Sequence, residues 1–327
     1  PDRPRRLCLE LHTATGHVAR LRYGSALRPK GAVRLVLAAT ITLPDKAGGP
    51  LWLASRPTRH LRPTATEEER ARYGALPVAA LRLDEIVPPT PIPLDEARDV
   101  EAVVNLAGEP LMAGRWNATR KAAFRASRLD TTRALIGWMA RQSVRPRVLV
   151  SGSAIGYYGP RGDEALDESA APGDDFAAQL CRDWETEAMQ AEGLDVRTCR
   201  VRTGIVLGAD GGALAKMLPP FRLGAGGPMG DGRQWMSWIH RDDLVGMIQW
   251  LLERDQAGGA YNGTAPTPAT NRDFARTLGA TLNRPAVIPT PAFALRLGFG
   301  EMAELLLTGQ RVLPAHALAE GFAFRFP

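Results

Sequence analysis

Residues 100–253 constrain this chain most. Short apolar runs alternate there with long helix-like stretches: a buried strand at 100–106 (VEAVVNL), a helix from the capping residue Asn117 to about residue 142, and a strand leading from 147 into Ser151. A helix over 176–191, a strand over 196–201 and a helix over 242–253 continue the pattern. Strands alternating with helices of this length predict an α/β fold with a doubly wound parallel sheet, and such sheets take ligands at the carboxyl ends of their strands. Three polar clusters fall at strand ends: NLAGEP from Asn105, SGSAIGYYG from Ser151 and RTGIVL from Arg202.

The first hundred residues are less regular. A strand over 7–11 (LCLEL), a turn, a helix over 17–27 and a strand over 32–38 would make a β-α-β opening. Residues 39–92 are rich in Pro, Gly and Arg; only 66–73 reads as helical, and no topology is assigned there. The turn Thr13, Ala14, Thr15, Gly16, His17, Val18, Ala19 sits where a dinucleotide fold places a GxxGxxG loop, but only the middle glycine is present. By itself it reads equally as a plain strand-to-helix connection.

At 327 residues the chain is long enough for one large domain and a smaller satellite. No run reaches the ~18 apolar residues that a membrane span requires, and no signal-type apolar stretch follows the early arginines, so the expected address is cytoplasmic. Cys8, Cys181 and Cys199 are far apart and in no metal-binding spacing; they are expected to be buried reduced thiols. Residues 1–90 hold 15 of the 41 basic and 8 of the 35 acidic residues, so the remainder is near neutral. That local, aromatic-poor basicity favours a solvated surface over a nucleic-acid partner.

Ala107 and Gly108 would let a flat ligand lie against the backbone, and the cluster also reads as a tight βα turn. Ser153 and Tyr157 could polarise a carbonyl or relay a proton, or Tyr157 and Tyr158 could pack at an interface. His240 before Asp242 and Asp243 suggests a metal or triad, but Asp242 is better placed as a helix cap, and no metal is expected. SGSAIG is not the GxSxG of a nucleophile elbow.

The ordered blocks NLAGEP, RW, SGSAIGYYG, LCRDWE, RTGIVLG, DGGALAKMLPPF, GGPMGDGRQ, WIHRDD and GQRVLPAHALAEGFAFRF resemble one family. It is the atypical extended short-chain dehydrogenase/reductase group, NAD-dependent epimerase/dehydratase-like, with a small C-terminal domain of unknown function from about Asn271. The resemblance implies a Rossmann-type domain over 1–270, an α-rich C-terminal lobe over 271–327, NADP or NAD as cofactor, and a substrate cleft between the two. By position it implies that Thr13, Thr15, Gly16, His17 and Val18 face the pyrophosphate. Leu106, Ala107 and Gly108 would face the adenosine and ribose side, and Ser151 and Gly152, with Ser153, the nicotinamide end. Arg202, Thr203 and Gly204 would close the cofactor cleft, with Lys216, Arg233, Trp235 and His240 on the substrate side.

The chain departs from this family in its degraded N-terminal glycine turn and its longer, irregular stretch before Val100. The superfamily's usual Tyr with Lys four residues later is also missing, as it is in the wider atypical group. Tyr23, Tyr73, Tyr157, Tyr158 and Tyr261 are followed at the fourth place by Leu27, Pro77, Arg161, Gly162 and Ala265. Gly159 and Pro160 intervene before Arg161, so Tyr157 and Arg161 do not align on one helix. The helix expected to carry the pair offers Ala177 and Cys181 instead.

The expectation is an NADP(H)-dependent oxidoreductase or an epimerase/dehydratase-like protein acting on a small carbonyl or nucleotide-linked substrate. Ser153 and Tyr157 are the candidate proton donors. The alternative is a catalytically inactive nucleotide-binding or regulatory protein. Residues 38–42 hold no acidic side chain to select NAD, which mildly favours NADP.

Overall fold

The computed structural model describes residues 100–112, 114–208 and 212–327, and from the first 99 residues five strand backbones. Those strands are β1 (Arg6–His12), β2 (Val18–Gly24), β3 (Leu35–Ala39), β4 (Leu51–Ala54) and β5 (Ala80–Arg82). They are followed by β6 (Ala102–Leu106), α1 (Ala118–Ala140), β7 (Val148–Ala154), β8 (Ala165–Leu166), α2 (Phe176–Met189) and β9 (Arg197–Thr203). Next come β10 (Ile205–Gly208), α3 (Gly212–Arg222), β11 (Trp235–Met236), β12 (Trp238–His240), α4 (Arg241–Glu253) and β13 (Gly259–Gly263). The chain closes with β14 (Ala269–Thr270), α5 (Asn271–Thr281), α6 (Ala292–Phe299), α7 (Glu304–Leu307), β15 (Arg311–Val312) and α8 (Ala315–Ala319).

The main sheet has six strands in the order β13-β9-β7-β6-β3-β4, parallel except for β4 at one edge. The chain builds outward from β3 to β4 on one side and from β6 through β7, β9 and β13 on the other. The reversal in strand order therefore lies between β3 and β6, where a Rossmann-like sheet opens its ligand crevice. The expected α/β parallel sheet with a helical C-terminal region is what the chain forms.

The opening differs from expectation. Residues 18–24 are β2, not part of a helix over 17–27, and β2 pairs antiparallel with β1. The segment VARLRYG alternates Ala19, Leu21 and Tyr23 with Arg20 and Arg22; cross-strand pairing along all seven residues outweighs the helix propensity of its Ala, Leu and Arg. With β5 these strands form a separate three-stranded sheet, and the neighbour of β6 in the main sheet is β3. Strands also occur within 39–92, where the sequence supports no topology; the helix expected over 66–73 lies outside the described residues.

Side chains lock the later elements. Asn117 Oδ1 accepts from Arg120 N at 2.8 Å and Asp175 Oδ1 from Ala178 N at 2.7 Å, capping α1 and α2. One face of the sheet buries Val103 and Leu149 under Leu135, Trp138 and Met139 of α1, and the other buries Val104, Val150 and Val201 under Met247 and Leu251 of α4. The cap of α4 is His240 rather than Asp242: β12 runs directly into the helix, and His240 Nδ1 accepts from Asp242 N at 3.2 Å. Among the described residues no helix is long and apolar enough to cross a membrane.

The C-terminal segments are knitted to the sheet domain. β15 pairs in parallel with β8, Val312 joins Tyr158 and Leu166 in a buried cluster, and Asn262 Nδ2 donates to Leu313 O at 2.9 Å. Asp243, 2% exposed, accepts from Arg325 N and Phe326 N, each at 2.9 Å.

Candidate active site

The parallel ends of β6, β7 and β9 bring three short-side-chain turns together. After β6, Asn105 turns the chain: its Oδ1 accepts from Ala107 N at 3.2 Å while its Nδ2 donates to Thr132 Oγ1 at 2.8 Å. At Gly108 a Cβ would stand 2.8 Å from the Arg128 guanidinium, so a side chain there would displace the end of Arg128. Arg128 reaches back from α1 to donate to Glu109 O at 3.1 Å, and Ser127 Oγ accepts from Glu109 N at 2.9 Å. Burial lowers the pKa of Arg128. Ala107 is 1% exposed and Leu106 is half-buried.

At the end of β7, Ser151 is fully buried and donates to Gly152 O at 3.3 Å. A Cβ on Gly152 would sit 2.9 Å from the ring of Trp184, whose Nε1 donates to Thr132 Oγ1 at 3.0 Å. Ser153, 5% exposed, donates to Glu185 Oε1 at 2.7 Å. Helix α2 presents Ala177 and Cys181 to Gly156, with Ala177 Cβ 3.4 Å and Cys181 Sγ 4.0 Å from where a Gly156 Cβ would lie. One turn further along the same face comes Glu185. Cys181 is therefore no substitute for the missing lysine: burial and the nearby Glu185 push its thiol up to about 12. Cys199 is likewise buried, its thiol pushed up to about 11 by burial; the side chain of Cys8 lies outside the described residues.

Arg202 is the cation at this site, 4% exposed. Its Nε donates to Glu185 Oε1 at 2.8 Å and its Nη2 to Glu185 Oε2 at 3.0 Å, a bidentate pair. Its Nη1 donates to Glu168 O at 3.1 Å and to the Tyr158 hydroxyl at 3.0 Å. Burial alone would lower the Arg202 pKa, but hydrogen bonding to Glu185 and the charge of Glu185 raise it. Tyr158, fully buried, donates to Asn262 Oδ1 at 2.7 Å, and burial pushes its phenol up to about 12 against the opposing pull of Arg202.

Tyr157 is half-buried, and the Arg202 guanidinium carbon lies 3.5 Å from its ring centroid. Thr203 donates to Val201 O at 3.3 Å, and Gly204 is required where the backbone passes Ser237, whose carbonyl oxygen would stand 2.3 Å from a Cβ.

The structure thus brings Ser153, Tyr157 and Arg202 together through Glu185. Lys216 and Arg233 are exposed on α3 and on the loop before β11. Trp235 is half-buried, its Nε1 donating to Asp163 Oδ1 at 2.7 Å, and His240 is held by its capping bond and by Phe326, 3.8 Å away between ring centroids. Of the proposed pyrophosphate turn, Thr13, Thr15, Gly16 and His17 lie outside the described residues, and Val18 opens β2, paired with His12. Sequence reasoning missed Glu185 and Arg128. The signal for Glu185 was its spacing, four residues after Cys181 and eight after Ala177 on one helix face. Among the described residues no cluster of His, Cys, Asp and Glu is arranged to hold a metal ion.

Comparison with known proteins agrees with this arrangement. Residues 92–262 match the NAD dependent epimerase/dehydratase family, and residues 290–327 match a domain of unknown function, DUF1731. A chloroplastic epimerase family protein of Arabidopsis thaliana, an SDR39U1 homologue, is 44% identical over 227 residues, 69% of this chain and 65% of that protein. The Mus musculus epimerase family protein SDR39U1 is 42% identical over 231 residues, 69% of this chain and 78% of that protein. The crystal structure of human SDR39U1 isoform 2, solved with NADPH, superposes with a TM-score of 0.70 at 40% identity, covering 74% of this chain and 85% of that one. The ordered strand-end motifs, the sheet that carries them and these likenesses agree: the chain belongs to the NAD dependent epimerase/dehydratase family.

Proposed function

We propose that the chain binds NADP(H) at the carboxyl ends of β6, β7 and β9 and uses it in an oxidoreductase or epimerase/dehydratase reaction on a small carbonyl or nucleotide-linked substrate. The NADPH of the human relative supports the cofactor. The fit to this chain rests on the reversal between β3 and β6, where the strand-end turns of β6, β7 and β9 lie together. When bound, the nicotinamide supplies hydride transfer. In this reading Leu106, Ala107 and Gly108 border the ribose side, Ser151, Gly152 and Thr203 support the nicotinamide end from within the sheet, and the 1–270 and 271–327 parts flank the substrate cleft. The buried, reduced Cys181 and Cys199 accord with a cytoplasmic address.

The observation that carries the proton chemistry is the placement of Arg202 over Tyr157. Glu185 fixes the guanidinium, Arg202 lies on the Tyr157 ring, and the Tyr157 hydroxyl has no hydrogen-bond partner among the described residues, so it is available to a substrate oxygen. Ser153 is committed to Glu185 and acts by holding that carboxylate. Tyr157 is thus the proton donor and Arg202 the nearby fixed cation, in the absence of the superfamily's Tyr and Lys pair.

Thermal unfolding with and without NADPH and NADH tests the reading. At about one hundred times its dissociation constant a ligand stabilises by ~2.7 kcal/mol. We expect NADPH to raise the unfolding temperature in both the parent and Tyr157→Phe, and turnover of NADPH with a panel of carbonyl substrates to vanish only in the variant. No stabilisation at millimolar NADPH would overturn cofactor binding. Binding without turnover of any substrate would leave a nucleotide-binding protein that is not an enzyme.

A further inference from the structure

Helix α1 carries the cations Arg120, Lys121, Arg125, Arg128 and Arg133, and all but one of them meet a carboxylate. Arg120 reaches Glu109 at 3.6 Å, Lys121 reaches Glu301 at 2.6 Å, Arg125 reaches Asp183 at 2.6 Å, and Arg133 pairs with Asp130 and Glu187. Arg128 has no carboxylate at ion-pair distance among the described residues. Glu109, whose charge does act on it, is turned to Arg120. Burial works against the charged form of Arg128 and outweighs the charges nearby.

Arg128 is also drawn in over the strand ends. Its guanidinium stands so close to Gly108 that a Cβ there would lie 2.8 Å from Cζ and Nη2 and 3.1 Å from Nε. Its Cζ is 5.3 Å from the ring centroid of Trp184, and that ring abuts Gly152 at the end of β7. The cation thus bridges the turn after β6 and the end of β7, half-buried and within reach of solutes. Nη1 donates to Phe124 O at 3.2 Å and Ser127 Oγ at 3.5 Å, and Nη2 donates to Glu109 O at 3.1 Å. A guanidinium has five N–H groups, so the hydrogen on Nε and one on Nη2 remain. Nε and Nη2 are neighbouring donors, and with such a pair arginine grips two oxygens of one phosphate.

We propose that Arg128 is a cofactor-binding residue that meets the diphosphate of the dinucleotide. This rests on the cofactor reading above and deepens it. A dinucleotide laid across the reversal between β3 and β6, with a ribose bordering Ala107 and Gly108, brings its diphosphate beside the guanidinium. Arg202 is not available for this role, because its charge is already met by Glu185.

The test titrates the full chain with NADPH and NADH by nucleotide fluorescence, for the parent, Arg128→Gln and Arg128→Lys, at low and at high sodium chloride. Both nucleotides carry the diphosphate, so Arg128→Gln should weaken both at least tenfold and Arg128→Lys less. Affinity of the parent should fall with salt, and less steeply in Arg128→Gln. A residue that only shapes the turn would lower affinity and leave that slope unchanged. Inorganic pyrophosphate should compete with NADPH on the parent, with an inhibition constant at least tenfold higher on Arg128→Gln. Arg128→Met, which keeps the stem against Trp184 without the charge, gives the same reading should Arg128→Gln not fold. Equal affinity of the uncharged variants, or an unchanged salt slope, would overturn the proposal. A loss confined to NADPH would also overturn it, by placing Arg128 at the 2′-phosphate. A parent that binds neither nucleotide would sink the cofactor reading and this assignment with it, whereas a parent that binds both and a variant that matches it would sink the assignment alone.

Discussion

The Glu185–Arg202 centre and the Trp235–Arg311 rim each place an arginine against an aromatic ring, yet they are finished to different degrees. At the first, every guanidinium nitrogen has a partner and both residues are about 5% exposed at the side chain. At the second, the ring is anchored and the cation on it is not. A saturated buried charge holds structure, because removing either partner strands the other in a low-dielectric interior. A cation with no counter-ion adds little to folding, because its removal strands no partner.

That contrast breaks most visibly at Glu185. Glu185→Gln keeps the side chain's size but leaves Arg202 buried without its counter-ion, and urea unfolding should show a loss of about 3–5 kcal/mol. A loss under 1 kcal/mol would mean that water reaches the pair. Gly152→Ala tests whether the same centre is as tightly packed as it is bonded. Its Cβ must push against Trp184, costing about 1–3 kcal/mol by thermal melting.

Tyr158→Phe leaves Asn262 Oδ1 buried without its donor and should cost a similar 1–3 kcal/mol or so at neutral pH. It also has a pH signature. Because burial raises the folded-state phenol to about 12, above an unfolded value near 10, the stabilisation is fully present below about pH 10 and is lost as pH rises toward 12. The variant should therefore show a shallower alkaline fall in stability, and identical slopes would show that Tyr158 ionises as freely folded as unfolded. The smallest effect belongs to the rim: Arg311→Gln should leave stability within about 0.5 kcal/mol of the parent, and a larger loss would make Arg311 structural.

How much of this was readable beforehand depended on whether the deciding interaction was local. The strands β6, β7 and β9, the helices α1, α2 and α4 and the cap at Asn117 follow from periodicity and capping chemistry within a few residues of one another. The three strand-end clusters followed as well. Residues 18–24 did not, because their alternation competes with good helix formers and only β1, brought alongside as a partner, decides between them. The cap of α4 was misassigned to Asp242 because aspartate is the stronger capping residue in isolation; the carboxylate that reaches inward from the first turn is Asp243, and it serves backbone amides 82 and 83 positions away. Glu185 and Arg202, on different elements and 17 positions apart, carry no short-range signature of their pairing. Nor does Arg311, whose character lies in the partners it does not have.

Glu168 has a consequence for how this protein is made. Its two carboxylate oxygens accept from Asn262 N at 2.8 Å and from His316 N at 3.1 Å, across 94 and 148 positions of sequence. On a ribosome adding some 5–20 residues each second, Glu168 waits several seconds for the first of these amides and longer for the second. For that interval Leu166 and Tyr158 are without Val312, and the apolar pocket that will receive it is open. The nascent chain thus carries this apolar pocket uncovered until β15 arrives, and slowing elongation ahead of residue 311 should lengthen that exposure without altering a single contact in the finished molecule.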